Sequence, residues 1–495
     1  MSTFKQKSLF AALAGLGVLG VVDSAQAVHI NQDGLGQAMV YPYYTARSTT
    51  GANAYVTALS VVNTTASAKA VKVRFLEGKN SQEVLDFNLF LSQYDVWTAG
   101  IVAAGPRAGV FTNDNSCTTP KVSTSAASPT LFRNGAYLND GGGDGLDRTY
   151  EGYFEILEMG AIAGGSNLEA AVTHSQNLSG SNASKPSCTG LPVSDAQPSA
   201  LVAPSGGLMG TASLININEG TDLSYDAVAL DGWSDRVNWS GPGSVLPRLQ
   251  DAFPAISVVI DNTASGGRVV RTDWGSSGRD AVSATMMRSH VYNEYTVEPS
   301  IKAATDWVVT MPTKRFYVTS AGASRPFQSA FGSKGSCDTI SLTYYDREEQ
   351  SPGAIIDFSP TTPESRSLCW EANVLTFSGS GGSATVSRVL ASTNTANVAL
   401  SDPWINGWAD LSFPNVSGTI HTLPAPTGAT TTVDVNSVNL AGGGVTTGRN
   451  MTYFGLPVVG FAVQSYSTTG LPGVNPNVLS NYGGNFNHKY LRDIR

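Results

Sequence analysis

Between Tyr55 and Trp97 the chain alternates apolar and polar positions with the two-residue period of half-buried strands. Residues 55–62 read YVTALSVV and run into an Asn63-Thr64-Thr65 turn. Val71, Val73 and Phe75 then alternate with Lys72 and Arg74. Leu85, Phe87, Leu89 and Leu91 alternate with Asp86, Asn88 and Phe90 ahead of Val96-Trp97. Short strands separated by polar turns, with no helical pattern between them, predict antiparallel sheet rather than a βαβ unit. Strand-like runs return at 150–159, 210–218 and 226–233. Further on they lie at 256–260, 307–311, 315–318, 340–345, 374–377, 385–390, 408–413 and 458–465. Residues 280–295 carry Ala281, Ala284, Met287, Val291 and Tyr295 on one helical face, with Asp280 as the expected N-cap.

Two long polar stretches, 113–147 and 164–198, flank the strand at 150–159, and three prolines fall between Gly241 and Pro254. The expectation is a mainly β chain of two antiparallel β-sandwich-like halves, of immunoglobulin or jelly-roll type, with long loops and one short helix. The N-terminal domain is drawn over 28–245 and the C-terminal β-rich domain over 246–495. The runs LSVVNT at 59–64 and ISVVIDNT at 256–263 are either equivalent strands of the two halves or generic β sequence.

The first 27 residues read as an address. Lys5 and Lys7 precede an uncharged run from Leu9 to Val22, and Ala25-Gln26-Ala27 places small residues where a signal peptidase cuts, so the mature chain is expected to begin at Val28. An apolar run of 14 residues is short of the ~20 that a membrane span needs. The match of residues 15–20 to G-x-G-x-x-G is accidental, since no strand precedes it. Export places all four cysteines in an oxidising compartment. Sequential pairing, Cys117 with Cys188 and Cys337 with Cys369, keeps each disulfide within one region. No outer-membrane barrel is expected, because the strands are short and the chain ends in Arg495.

Only 14% of the residues are charged, against about 25% in an ordinary domain, and the net charge of −8 excludes a nucleic-acid binder that depends on clustered Lys and Arg. No G-x-S-x-G elbow, H-E-x-x-H helix or phosphate-binding loop is present, so no catalytic residue is assigned and a non-enzymatic role is favoured. His29, second in the expected mature chain, suits the start of a strand better than a copper brace. Asp140, Asp144, Gly145 and Glu151 fall at positions one, five, six and twelve of a calcium loop, although Gly142 and Asp147 depart from the pattern. Trp404 and Trp408 lie beside Asp402 and Asp410, a pairing of aromatic face and carboxylate that suits sugar rings. Asp273 with Glu294 is a conceivable glycosidase pair whose spacing the sequence does not set.

Four strings belong together: VHINQDGLGQAMVYPYYT at 28–45, VKVRFLEGKNSQEVLDFNL at 71–89, ATDWVVTMPTKRFYV at 304–318 and LSNYGGNFNHKY at 479–490. As a set they resemble an uncharacterised family of exported or cell-surface proteins of Gram-negative bacteria, over the full mature length. The resemblance implies export to the periplasm, the cell surface or the medium, and it brings no catalytic residues. The expected function is therefore structural or adhesive at the cell surface. The alternatives are a secreted glycan-binding module and, behind it, a secreted hydrolase. Expected partners are a cell-surface glycan or further copies of the chain, and calcium is the one cofactor suggested. For self-association, the uncharged segment from Gln37 to Tyr44 either donates a strand to a neighbour or completes its own sheet.

Overall fold

The alternating strands of the first hundred residues pair as their pattern requires. The computed structural model describes residues 26–48, 55–174, 185–263, 268–351, 367–379, 382–400, 404–413, 415–416, 419–428, 431–434, 445–447, 451–467 and 481–495. The signal segment lies outside them except for Gln26 and Ala27. One sheet runs, in spatial order, through His29–Ile30, Val228–Asp231, Ala38–Thr45, Glu151–Ile162, Lys69–Glu77, Glu83–Leu91 and Cys117–Thr119, with Leu201–Val202 attached to Glu151–Ile162. A second runs through Thr221–Asp226, Leu208–Asn216, Val56–Asn63, Val96–Ala104, Arg107–Phe111 and Thr130–Leu131. Val71, Val73 and Phe75 from the first meet Leu59, Val61 and Trp97 from the second in one buried cluster. The result is an antiparallel sandwich.

Alternation placed Lys72 and Arg74 on the other face of their strand, where solvent would be expected. That face is instead roofed by the segment after Trp233. Lys72 is buried beside Asp86, and its Nζ also donates to the carbonyls of Gly241 and Ser244 at 3.2 and 3.1 Å. Arg74 spans Glu83 and Glu155 at 2.8 and 2.9 Å. Lys69 meets Glu158 at 2.9 Å with both side chains fully buried. Charges removed from water in this way are tolerated because each finds a counter-charge with hydrogen-bonding geometry.

Ala38–Thr45 lies inside its own sheet, between Val228–Asp231 and Glu151–Ile162, and is buried along its whole length. It is thus no free donor strand. Pro42 is accommodated because the pairing with Glu151–Ile162 shifts register between Gly152 and Phe154, so that no ladder bond is asked of its nitrogen.

Two strands beyond residue 255 are continuous rather than alternating. Ala304–Thr310 (ATDWVVT) and Ala372–Ser378 (ANVLTFS) are buried at every position. They sit in a five-stranded sheet ordered Thr395–Ala399, Ala372–Ser378, Ala304–Thr310, Val459–Ser467 and Asn481–Asn487. Val308, Val374 and Phe461 on one face join the N-terminal core, where Phe461 stacks on Tyr225 with centroids 4.6 Å apart. Trp307, Leu375 and Ala462 on the opposite face join the C-terminal core. Covered on both sides, these strands need no polar alternation. A four-stranded sheet, ordered Ser341–Asp346, Asn406–Ser412, His290–Thr296 and Lys489–Leu491, lies over that second face. Tyr295 stacks on Phe377 at 5.2 Å, and Trp307 Nε1 donates to the Glu294 carbonyl at 3.1 Å. None of these sheets closes on itself. Among the described residues their ladders fall on one side or the other of residue 245, apart from two isolated parallel bridges, Val28 with Ser257 and Ser234 with Phe253. The hydrophobic clusters, by contrast, draw on both sides.

Several local expectations are corrected. The helix spans Gly278–Met286, not 280–295, and its N-cap is Ser277, whose hydroxyl accepts the Asp280 N–H. Val291, Tyr292 and Tyr295 favour strand, and seven residues from His290 to Thr296 pair with Asn406–Ser412, which outweighs the helical spacing. A second α-helix, Asn167–Val172, stands in the polar stretch 164–198, started by Ser166, whose side chain accepts from the Glu169 N–H. Residues 307–311 and 315–318 do not pair with each other, because Lys314–Phe316 is a 3₁₀ turn. Residues 385–390 form no strand. The N–H groups of Arg388, Val389 and Leu390 are taken at 3.3, 2.9 and 2.9 Å by the buried carboxylate of Asp306. Both disulfides join the expected partners, Cys117–Cys188 and Cys337–Cys369. No helix of the described residues is long and apolar enough to cross a membrane.

Candidate functional site: an aromatic sheet face

The outer face of the four-stranded sheet follows from simple alternation. Val291 and Tyr295, Leu342 and Tyr344, and Ala409 and Leu411 point inward and are buried. The residues between them point out and stand opposite one another across the ladders. Trp408 lies between Tyr345 and Glu294; Asp410 lies between Thr343 and Tyr292, with Lys489 beyond; Ser412 lies between Ser341 and His290. Trp408 is 41% exposed. One of its faces is held by Tyr345, parallel to it with centroids 4.5 Å apart, while Tyr292 stands 6.2 Å away at 60°. The stack fixes the indole, so a ligand that lies against it orders little.

Two open depressions meet at Trp408 and Glu294. One, of about 470 Å³, has Trp408 and Phe486 as apolar walls and Tyr292, Asn485 and Lys489 among its other lining residues. Phe486 is 40% exposed, and Asn485 Nδ2 is left without a hydrogen-bond partner. The other, of about 600 Å³, is acidic. Glu294, Glu298, Asp346 and Glu349 line it together with one arginine, Arg347, and Tyr466. Hydrogen bonds from Ser300 and Asn406 hold the Glu298 carboxyl below the usual range.

Next to these rings His290 Nδ1 lies 2.9 and 3.1 Å from the two oxygens of Asp410. The Asp410 hydrogen bond and charge outweigh partial burial and raise the imidazole above its ordinary value. Tyr292, parallel to His290 at 5.9 Å, is pushed up to about 12 by burial and by the Asp410 charge. A histidine oriented by a carboxylate is half of a hydrolytic triad. Among the described residues, however, no hydroxyl or thiol is hydrogen-bonded to the second nitrogen of His290. The face thus sets stacked aromatic rings beside carboxylate, amide and ammonium groups.

The other sequence-derived candidates are placed elsewhere. Trp404 packs against the C-terminal core and edge-on against Tyr344, 6.3 Å away, with its Nε1 buried and unpartnered. It does not share the open face with Trp408. Asp140 is gripped through both oxygens by Arg148, at 2.7 and 2.9 Å, and Asp144 accepts the Asn139 N–H. Glu151 turns to Arg47, Tyr43 and Thr393. The calcium spacing therefore does not group these carboxylates: Arg148 pairs with Asp140 and Arg47 with Glu151. Among the described residues no three His, Cys, Asp or Glu side chains are grouped to hold a metal ion. Asp273 and Glu294 belong to different sheets. His29 is paired with Asp231 in a short edge strand. The sequence reading missed Tyr345, Tyr292 and Phe486. The alternation of Tyr345 with Tyr344 signals its outward direction, but the neighbours that make it a platform come from three other segments. No family model, curated protein or solved structure matches this chain.

Proposed function

We propose that this is an exported, non-enzymatic cell-surface protein that binds glycan chains on the Trp408 face and serves adhesion through that contact. The observation that carries this reading is an exposed indole stacked by Tyr345, with Tyr292 and Phe486 beside it and Glu294, Asp410 and Asn485 at its edges. Sugar rings offer apolar C–H faces to aromatic rings and hydroxyls to such polar groups. The charge, apolar and small-residue order of the first 27 residues, together with two disulfides, supports export. Self-association through the segment 37–44 is not favoured, since that strand is internal to its sheet. The test is affinity electrophoresis of the mature protein in gels containing individual soluble polysaccharides. At least one polysaccharide should retard it, and Trp408→Ala should weaken that binding about tenfold, the loss expected for an aromatic anchor. Retardation by none of a broad panel, or equal retardation of the variant, overturns the proposal. Thermal unfolding of Trp408→Ala close to that of the parent confirms that a binding loss is local.

A further inference from the structure

A third cavity, of about 550 Å³, lies where residues 30–42 and 226–229 meet the C-terminal sheets. Ile30, Val228, Val309 and Val458 give it apolar walls, and Arg288 and Tyr490 line it together with Lys489, His488 and one carboxylate, Asp226. The arginine there is unusual within this protein. Seven Lys and Arg side chains of the described residues are buried: Lys69, Lys72, Arg74, Arg148, Arg288, Lys314 and Arg492. Five of them meet a carboxylate at 3.0 Å or less. Among the described residues Arg288 and Arg492, 4% and 8% exposed, meet none; the charged or titratable groups acting on Arg288 are Arg492 and Tyr490, and on Arg492 it is Tyr490.

Arg288 Nη1 donates to the carbonyls of Thr285 and Met287, and Arg492 Nη2 to that of Thr285, while Arg492 Nε has no partner. The guanidinium carbons stand 3.8 and 4.9 Å from the Tyr490 ring centroid. Two neighbouring buried cations without an anion are costly, and the cost is relieved if a negative charge enters from the cavity. We propose that this cavity binds an amphipathic organic anion, its carboxylate against Arg288 and Tyr490 and its apolar body along Val228, Val309 and Val458. Arg492 stands behind the first arginine and adds positive charge. One internal alternative is a Tyr490 phenolate. Burial opposes ionisation of that hydroxyl, but both arginines favour it and hold it below the usual tyrosine value.

Decanoate, decanol and inorganic phosphate are titrated into the mature protein by calorimetry. Decanoate should bind one-to-one and at least about tenfold more tightly than either of the others, because only it offers both the charge and the apolar body. Arg288→Met should weaken decanoate on the order of tenfold to a hundredfold, whereas Trp408→Ala should leave it unchanged, which separates this site from the aromatic face. The assignment is overturned if decanoate gives no binding, if decanol or phosphate binds equally well, or if Arg288→Met binds as the parent does. A tyrosinate absorption at neutral pH that disappears in Tyr490→Phe overturns it too. Should Arg288→Met fail to fold, the comparison of the three compounds on the parent protein decides the matter.

Discussion

Replacing Glu151 by glutamine tests the buried junction between the two halves of the chain. The Glu151 side chain is 1% exposed and accepts from four donors: Arg47 Nε at 2.7 Å, Tyr43 OH at 2.8 Å, and Thr393 N and Oγ1 at 3.0 and 2.9 Å. Two donors come from the N-terminal half and two from the C-terminal half. Glutamine keeps the shape and can direct its amide nitrogen to the Tyr43 hydroxyl, so the change removes charge rather than packing. What remains is Arg47, its side chain 12% exposed, without a counter-ion. Breaking a buried pair costs about 3–5 kcal/mol, and the residual exposure of Arg47 lowers the expectation to about 2–4 kcal/mol. A chain of this length unfolds with an entropy near 1 kcal/mol/K, so Tm would move by only about 2–4 °C. Urea unfolding followed by tryptophan fluorescence is the more sensitive assay.

Arg47→Met and the double variant complete a cycle whose coupling should exceed about 1 kcal/mol. Burial alone would raise the Glu151 carboxyl, but the Arg47 charge and the surrounding donors outweigh it and hold the group below the usual carboxylate range. Its contribution is therefore present above the unfolded value of about 4.3 and is lost as pH falls through the lower folded value. The gap between parent and variant should persist at neutral pH and close in acid. Calcium should leave the parent's unfolding unchanged, since Arg47 and Arg148 already occupy the carboxylates that the loop spacing offered. A variant within about 0.5 kcal/mol of the parent, or strictly additive effects in the cycle, refutes the assignment of a stabilising junction here.

Replacing Cys117 and Cys188 together by serine opens a loop of 71 residues and should cost about 4 kcal/mol in urea unfolding on the loop-entropy scale. Gly152→Ala would place a Cβ 2.0 Å from the Leu76 carbonyl oxygen and 3.0 Å from Glu77 Cα, in the middle of the first sheet. A loss of about 2–4 kcal/mol or insoluble expression is expected, and unchanged stability would contradict the close strand approach. The His290 imidazole should titrate above about 6.5 by NMR, and Asp410→Asn should remove that elevation. A raised histidine stabilises the fold below its unfolded value and loses that contribution as pH rises through the folded one, so the pair should weaken toward alkaline pH.

The sequence by itself determined the strand character, favoured the sequential disulfide pairing over two other connectivities, and pointed to one anchor of the candidate site. Alternation at 55–62 and 71–75 is local information, because a strand with one face in a core must repeat every two residues. The pairing of Cys117 with Cys188 followed from their position in two stretches flanking one strand, and Trp408 from its carboxylate neighbours. Other features had no local signature. Lys72 and Arg74 read as a solvated face until the segment after Trp233 is seen to cover them and Asp86, Glu83 and Glu155 to neutralise them. Residues 280–295 carry a helical period, yet a partner strand at Asn406–Ser412 supplies a ladder that a helix there would forfeit. Residues 385–390 look like a strand, but a carboxylate from Asp306 satisfies their N–H groups. The aromatic platform joins Tyr345, Trp408, Tyr292 and Phe486 from four separate strands, and Arg288 meets Arg492 across some two hundred residues of chain. Periodicity reports which side of an element is buried. Which segment does the burying, and which charges then face one another, is settled only when distant strands pack, because those energies depend on partners that the local sequence does not contain.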